Sequence, residues 1–233
     1  MNVVITGATK GIGHAVAEKF AGAGNTIFAC ARSEKDLQEM IHNFERRWKK
    51  SSVQVKVMDA GDKEQVTAFA KWILETTSEI DVLVNNAGYY SPGPIIEEED
   101  GLLEHMMSVN VLSAYHLTRK LLPAMLQRKT GHIFNICSAA SLRAYENGGS
   151  YGITKFALMG FSKNLREQLK DSGIKVTAVY PGATMSSSWD GTGIDPQRIM
   201  ESNDIAEMIF AAAHLSPQAV VEDIIMRPQK GDV

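Results

Sequence analysis

The chain has 233 residues, 44% of them apolar and 22% charged, with a formal net charge of −3. That length suits a single α/β domain with a sizeable core, and mild acidity without a basic stripe interleaved with aromatics argues against nucleic acid as a partner. No apolar stretch approaches the ~20 residues that cross a bilayer, and a strand starting at residue 2 leaves no room for a signal peptide, so the expected location is cytoplasmic with no membrane partner.

Asn2 to Thr6 is a short β-branched run, the profile of a buried strand. Gly7-Ala8-Thr9-Lys10-Gly11-Ile12-Gly13 follows at once, and His14 to Phe20 then places apolar residues at helical spacing. Glycines between a strand and a helix let backbone N–H groups approach an anion, and the helix start adds positive potential. A plain tight turn is the other reading; the strand–loop–helix context favours phosphate binding. Thr26 to Ala31 reads as strand two, followed by a charged helix from about Glu34 to Lys49. Val53 to Val57 alternates as strand three, a helix spans about Lys63 to Thr76, and Ile80 to Val84 is strand four, with a Gly- and Pro-rich loop through Pro94. A long helical stretch from Asp100 to Arg128 contains Pro123 and is expected to bend or break there. His132 to Cys137 is strand five, the helix of Tyr151 comes next, and Ile174 to Val179 is strand six. A helix from Asp204 to Leu215 and a strand from Glu222 to Met226 close the chain. Repeated alternation implies one doubly wound domain over residues 1–233: seven parallel strands, helices on both faces, ligands at the carboxyl ends of the strands. Cys30 and Cys137 lie in apolar strand-like runs and read as reduced core residues rather than a disulfide or metal pair.

Tyr151 and Lys155 stand four residues apart, so on a helix they share a face. A cation beside a phenol favours phenolate, and a tyrosine so tuned can exchange a proton with an alcohol or carbonyl oxygen near neutral pH. Ser138 ends the apolar run of strand five and can hydrogen-bond the same oxygen from a rigid support. The competing reading of Ser138 is a strand-end cap, and of the Tyr–Lys pair a chance helical spacing.

The spacing Thr6-Gly7-x-x-x-Gly11-x-Gly13 resembles that of the short-chain dehydrogenases/reductases. Four further elements agree in order and distance: Asn85-Asn86-Ala87-Gly88, Asn110 in Ser108-Val109-Asn110, Ser138 with Tyr151-x-x-x-Lys155, and Pro181-Gly182 after a strand. The match covers essentially the whole chain and implies a Rossmann-like fold. It also implies that a bound nicotinamide nucleotide delivers hydride to a carbonyl carbon while Tyr151 gives its oxygen a proton. Ser138 would hold that oxygen, Lys155 the nicotinamide ribose, and Asn110 a water linking Lys155 to solvent. By the same resemblance Gly7, Thr9, Gly11, Ile12 and Gly13 face the phosphates. Asp59 goes to the adenine, and Asn86, Ala87 and Gly88 run along the adenosine ribose. Pro181, Gly182 and Thr184 turn past the carboxamide. Ser186 stands where the family usually has Thr, and which of Thr184 and Ser186 meets the cofactor stays open.

Charge selects the cofactor. Enzymes preferring NAD often have an acid at the end of strand two for the ribose hydroxyls. Ala31-Arg32-Ser33 stands there, with no acid. Arg32 can grip a 2′-phosphate through its planar fork, and Lys10 adds a second cation. NADP(H) is therefore expected ahead of NAD.

The substrate is less legible. The segment 182–203 is short for a substrate-covering lid, although Met185, Trp189 and Gly191 to Gly193 could form a reduced one. Tyr89, Tyr90, Tyr145 and Trp189 are candidate pocket walls. The resemblance suggests a carbonyl reductase acting on a small-molecule or carrier-bound carbonyl, with 3-oxoacyl-carrier reduction named first. A dehydrogenase of a small hydroxy acid or polyol is the alternative, and a non-catalytic nucleotide sensor the third reading. Arg119, Lys120, Arg128 and Lys129 could receive an acidic carrier or form a solvated helix face. By family analogy a homodimer or homotetramer is expected, with Phe156, Met159, Phe161, Leu165 and Leu169 serving either an interface or the core.

Overall fold

The computed structural model describes residues 1–186, 189 and 191–232. Its strands are β1 (Asn2–Thr6), β2 (Thr26–Ala31), β3 (Ser52–Val57), β4 (Val82–Asn85), β5 (Gly131–Ile136), β6 (Ile174–Pro181) and β7 (Asp223–Met226). Its helices are α1 (Gly11–Gly22), α2 (Glu34–Arg47), α3 (Lys63–Thr76), α4 (Leu102–Met107), α5 (Ser113–Arg128), α6 (Gly149–Leu169) and α7 (Ser202–Ala213). All strand pairs are parallel and the sheet runs β3-β2-β1-β4-β5-β6-β7, the doubly wound arrangement expected. The winding reverses between β1 and β4, so the loops leaving their carboxyl ends diverge and open a crevice. No helix among the described residues is long and apolar enough to cross a membrane.

The inner strands lack polar alternation because both faces are covered. Val3 and Ile5 pack with Phe20, Phe44 and Ile209, from α1, α2 and α7. Val4 of the same strand points the other way, among Phe69, Leu121 and Leu165 of α3, α5 and α6. Leu165 and Leu169 thus belong to the core, whereas Phe156 is exposed. Helix α2 ends at Arg47 rather than Lys49 because Trp48 leaves the helical path and packs edge-on against Phe44, ring centroids 4.8 Å apart. Both cysteines are free and buried, and burial pushes each thiol up to about 12.

Pro123 does not break its helix. It sits inside α5 on an exposed part of the helix, and Arg119, whose carbonyl loses its N–H partner to the proline, is exposed too. The interruption falls earlier, in a π-turn at Ser108–Leu112 between α4 and α5. The wider turn accommodates an extra residue and rotates Asn110 inward, where it is almost wholly buried.

One buried group makes stability depend on pH. His132 in β5 donates from Nε2 to Thr177 Oγ1 at 2.7 Å, and Thr177 donates onward to the Val221 carbonyl at 2.5 Å. Burial first, then the charge of Lys175, pushes the imidazole pKa down from 6.5 to about 3. The unfolded chain takes up this proton near 6.5 and the folded chain only near 3, so the stabilisation is complete above pH 6.5 and lost as pH falls toward 3. At pH 5 the loss is about 2 kcal/mol. Urea unfolding at pH 7.5 and 5.0 is expected to show it, with a smaller drop in His132→Gln; equal drops in both proteins would remove His132 from this role.

Candidate active site

The chain leaves β1 at Thr6 and turns through Gly7 (φ 64°) and Gly11 (φ 54°), backbone conformations that side chains with a Cβ avoid. The turn is tied to the loop after β4. Thr6 Oγ1 accepts from the backbone N–H of Asn86 at 3.0 Å and of Ala87 at 2.9 Å. In return, Asn86 Nδ2 donates to the carbonyls of Thr6 at 2.9 Å and Gly7 at 3.0 Å. Gly13 fits beneath this knot and does not line the cleft above it. The N-cap residue Lys10 makes no side-chain capping bond at the start of α1, and its first turn holds no acidic residue. Its leading N–H groups are therefore available to an anion.

At the end of β2, Arg32 is exposed and makes no ion pair among the described residues. Lys10 lies 3.6 Å from Asp36 with 65% of its side chain exposed. Asp36 enters the cleft wall from the first turn of α2, an acid that sequence inspection of the strand end does not find. Ser33 caps α2 by accepting from Asp36 N–H at 3.2 Å, and Asp59 Oδ1 accepts from Gly61 N–H at 2.8 Å.

The other half of the cleft is built by β5 and α6. Ser138 is extended, and its Oγ accepts from Ala140 N–H at 3.1 Å, so the cap reading is correct as far as it goes. Accepting leaves the hydroxyl proton free to be donated. Tyr151 and Lys155 share a face of α6, with Lys155 Nζ 5.6 Å from the centre of the Tyr151 ring. The buried Lys155 donates to the Ile136 carbonyl at 2.9 Å. Asn110 does not line the cleft. Its Oδ1 accepts from Tyr89 N–H at 2.7 Å, and its Nδ2 donates to Tyr89 O at 3.0 Å and Thr154 Oγ1 at 2.9 Å. It thus braces the loop after β4 against α6. Tyr90 meets Tyr151 edge to face at 4.7 Å, and burial raises the phenols of Tyr90 and Tyr145 above the ordinary range. Of the four expected wall aromatics, Tyr89, Tyr90, Tyr145 and Trp189 all line the cleft.

Beyond β6, Thr184 donates to the Gly182 carbonyl at 2.9 Å, and Trp189 Nε1 donates to the Thr184 carbonyl at 3.0 Å. Of the segment 182–203, Ser187, Ser188 and Asp190 lie outside the described residues. Pro181, Gly182, Thr184 and Ser186 all line the cleft. Arg143 and Asp232 line it too, and nothing in their sequence surroundings marks them. The cleft measures about 780 Å³, within the range of organic-ligand sites. One end has helix-start amides and two cations, the other a hydroxyl, a phenol and an ammonium.

A sequence model described as short chain dehydrogenase matches residues 1–194. The chain is 30% identical to a sepiapterin reductase of Chlorobaculum tepidum, across 99% of this chain and 97% of that one. Among solved structures, the closed form of a serine dehydrogenase complexed with NADP+ is similar at TM-score 0.89 and 26% identity, covering 100% of this chain and 97% of that one. L-sorbose reductase from Gluconobacter frateurii, complexed with NADPH and L-sorbose, is similar at TM-score 0.86 and 27% identity, over 97% and 94%.

Proposed function

The chain belongs to the short-chain dehydrogenase family, and from that premise we propose that it is an NADP(H)-dependent oxidoreductase interconverting a carbonyl and an alcohol, with Tyr151 as the proton donor and acceptor. The observation that supports this reading is the convergence of Ser138, Tyr151 and Lys155 in one cleft with the glycine turn and Arg32.

The residues fit the cofactor. Uncapped amides at the start of α1 and the glycine turn suit a pyrophosphate. Arg32, exposed beside them, suits a 2′-phosphate, with Lys10 as its second cation. Asp36 weakens this end, but its charge is opposed by Lys10. Asn86, Ala87, Ser33 and Asp59 are assigned to the adenosine half, whereas Gly88, expected there as well, is flanked by Asn110 and Lys155 and so falls beside the nicotinamide ribose. Proteins of similar fold bind NADP+ or NADPH. When bound, the nicotinamide supplies or accepts the hydride.

The chain's own residues handle the oxygen. Ser138 donates its free hydroxyl proton in a hydrogen bond to the carbonyl oxygen, fixing it beside Tyr151. Tyr151 then transfers its proton to that oxygen as charge develops there. The ammonium of Lys155, held by Ile136, stabilises the phenolate left behind. Asn110 holds the Tyr89 backbone and Thr154, positioning the loop and the helix turn on either side of Lys155. In the reverse direction the same phenolate takes the alcohol proton.

A small polar substrate is favoured over a carrier-bound acyl chain. The similar proteins are named for sepiapterin, serine and L-sorbose. Of the cations that could receive a carrier, Arg128 is engaged with Asp81 at 3.0 Å. Exposed Leu112, Tyr115, Ile153 and Phe156 on α5, α6 and the π-turn support a homo-oligomer.

The test is oxidation of NADPH and NADH across a panel of small carbonyls. NADPH is expected to be preferred. Arg32→Ala should lower the NADPH-to-NADH ratio of kcat/KM by roughly 10–100-fold, the worth of one charge-assisted contact. An unchanged ratio would show that Arg32 does not read the 2′-phosphate.

A further inference from the structure

We propose that Arg143 receives a carboxylate of the substrate, making the substrate a small oxo acid or the corresponding hydroxy acid. This deepens the proposed function and rests on it.

Arg143 lies between the Ser138 turn and the start of α6, in the stretch that also supplies Tyr145, and both line the cleft. Its side chain is 62% exposed, and its ion-pair partner is Asp232 Oδ2, at 3.4 Å. That carboxylate arrives from beyond β7. Arg198 holds the segment by donating to the carbonyls of Gly231 at 2.8 Å, Lys230 at 3.3 Å and Asp232 at 3.5 Å. Asp232 Oδ1 accepts from Ala183 N–H at 3.4 Å, and a Cβ on Gly182 would lie 2.1 Å from it. A carboxylate is thus seated against the bare backbone of Gly182, in the wall of the cleft that Ser138 and Tyr151 share.

Its bonds are poor ones. Oδ2 alone is shared between Arg143 at 3.4 Å and Arg227 at 3.3 Å, longer than the 2.7–2.9 Å typical of charge-assisted bonds, and neither pairing is bidentate. An ion pair on so exposed a guanidinium is also screened by solvent. Among the described residues, two arginines thus share this one carboxylate. A free carboxylate can meet the planar fork of Arg143 through both oxygens, which tethered Asp232 does not. Asp232 therefore acts as a stand-in that a substrate carboxylate displaces.

The experiment compares short 2-oxo and 3-oxo acids with their methyl esters, using NADPH and the whole protein. Wild type is expected to favour the acids at least tenfold in kcat/KM. Arg143→Met should cut the acid-to-ester ratio at least tenfold, mainly through KM for the acid, with NADPH affinity read separately as the folding control. Asp232→Asn should lower the acid KM severalfold by removing the internal competitor. Butyrate should inhibit ester reduction competitively in wild type and much less in Arg143→Met. Equal use of acids and esters by wild type, or one common factor of loss for both in Arg143→Met, overturns this inference while leaving the oxidoreductase reading intact. Bound NADPH with no carbonyl reduced, charged or neutral, overturns both.

Discussion

Tyr151→Phe is expected to lower turnover by roughly 10²–10⁴-fold, the usual contribution of a positioned general acid or base. The change removes one oxygen and leaves the surroundings in place. The ring keeps its edge-to-face contact with Tyr90 at 4.7 Å, and Lys155 remains held by the Ile136 carbonyl at 2.9 Å. NADPH affinity should therefore stay within a few-fold of wild type, and the loss should appear in kcat. Steady-state kinetics beside a fluorescence titration with NADPH separates the two quantities. Wild-type turnover in the variant would remove Tyr151 from the proton path, and a matched loss of NADPH binding would recast it as a binding residue.

Gly13→Ala is the second large effect. A Cβ there would lie 2.3 Å from the Gly7 carbonyl oxygen and 2.4 Å from Asn86 Nδ2. The first is backbone, and the second is the amide that ties the glycine turn to β4, so neither can swing aside as a flexible chain end would. Relief requires moving the turn itself. Overpacking of this kind costs about 1–3 kcal/mol, or more where backbone must shift. The expected result is a loss of stability of that order with NADPH affinity reduced at least ~100-fold, since the displaced amides are those assigned to the phosphates. Gly160→Ala is the control: apart from its chain neighbours and its own helix backbone, no described atom lies within 4 Å of its added Cβ, and it sits inside α6. The same chemical change should there be neutral or stabilising by up to ~1 kcal/mol. Calorimetry and cofactor titration of the pair check this; Gly13→Ala behaving like Gly160→Ala would mean the turn yields freely.

Much of the site is written locally. Tyr151 and Lys155 share a face because a helix repeats every 3.6 residues, and any sequence that folds as α6 puts them together. The glycine turn likewise follows from where β-branched residues stop and helical spacing begins. Asn110 was legible as a polar residue inside a helix but not as the brace of Tyr89, because its partners lie in other segments. The π-turn that aims it inward depends on α4 and α5 packing as they do. Pro123 shows the converse: a strong local signal for a break is overridden on an exposed stretch of α5.

Composition and periodicity alone determined the alternating strands and helices, the parallel sheet and the glycine turn after β1, since each depends on residues adjacent in the chain. Only the tertiary structure decided which distant groups meet. It put Thr6 and Asn86 together across the sheet's reversal, strung Asn85, Asn135 and Ser162 into a buried amide–hydroxyl chain, and brought Asp232 to Arg143. Such pairings are set by how whole layers pack and which way the sheet winds, and no short-range pattern carries that information.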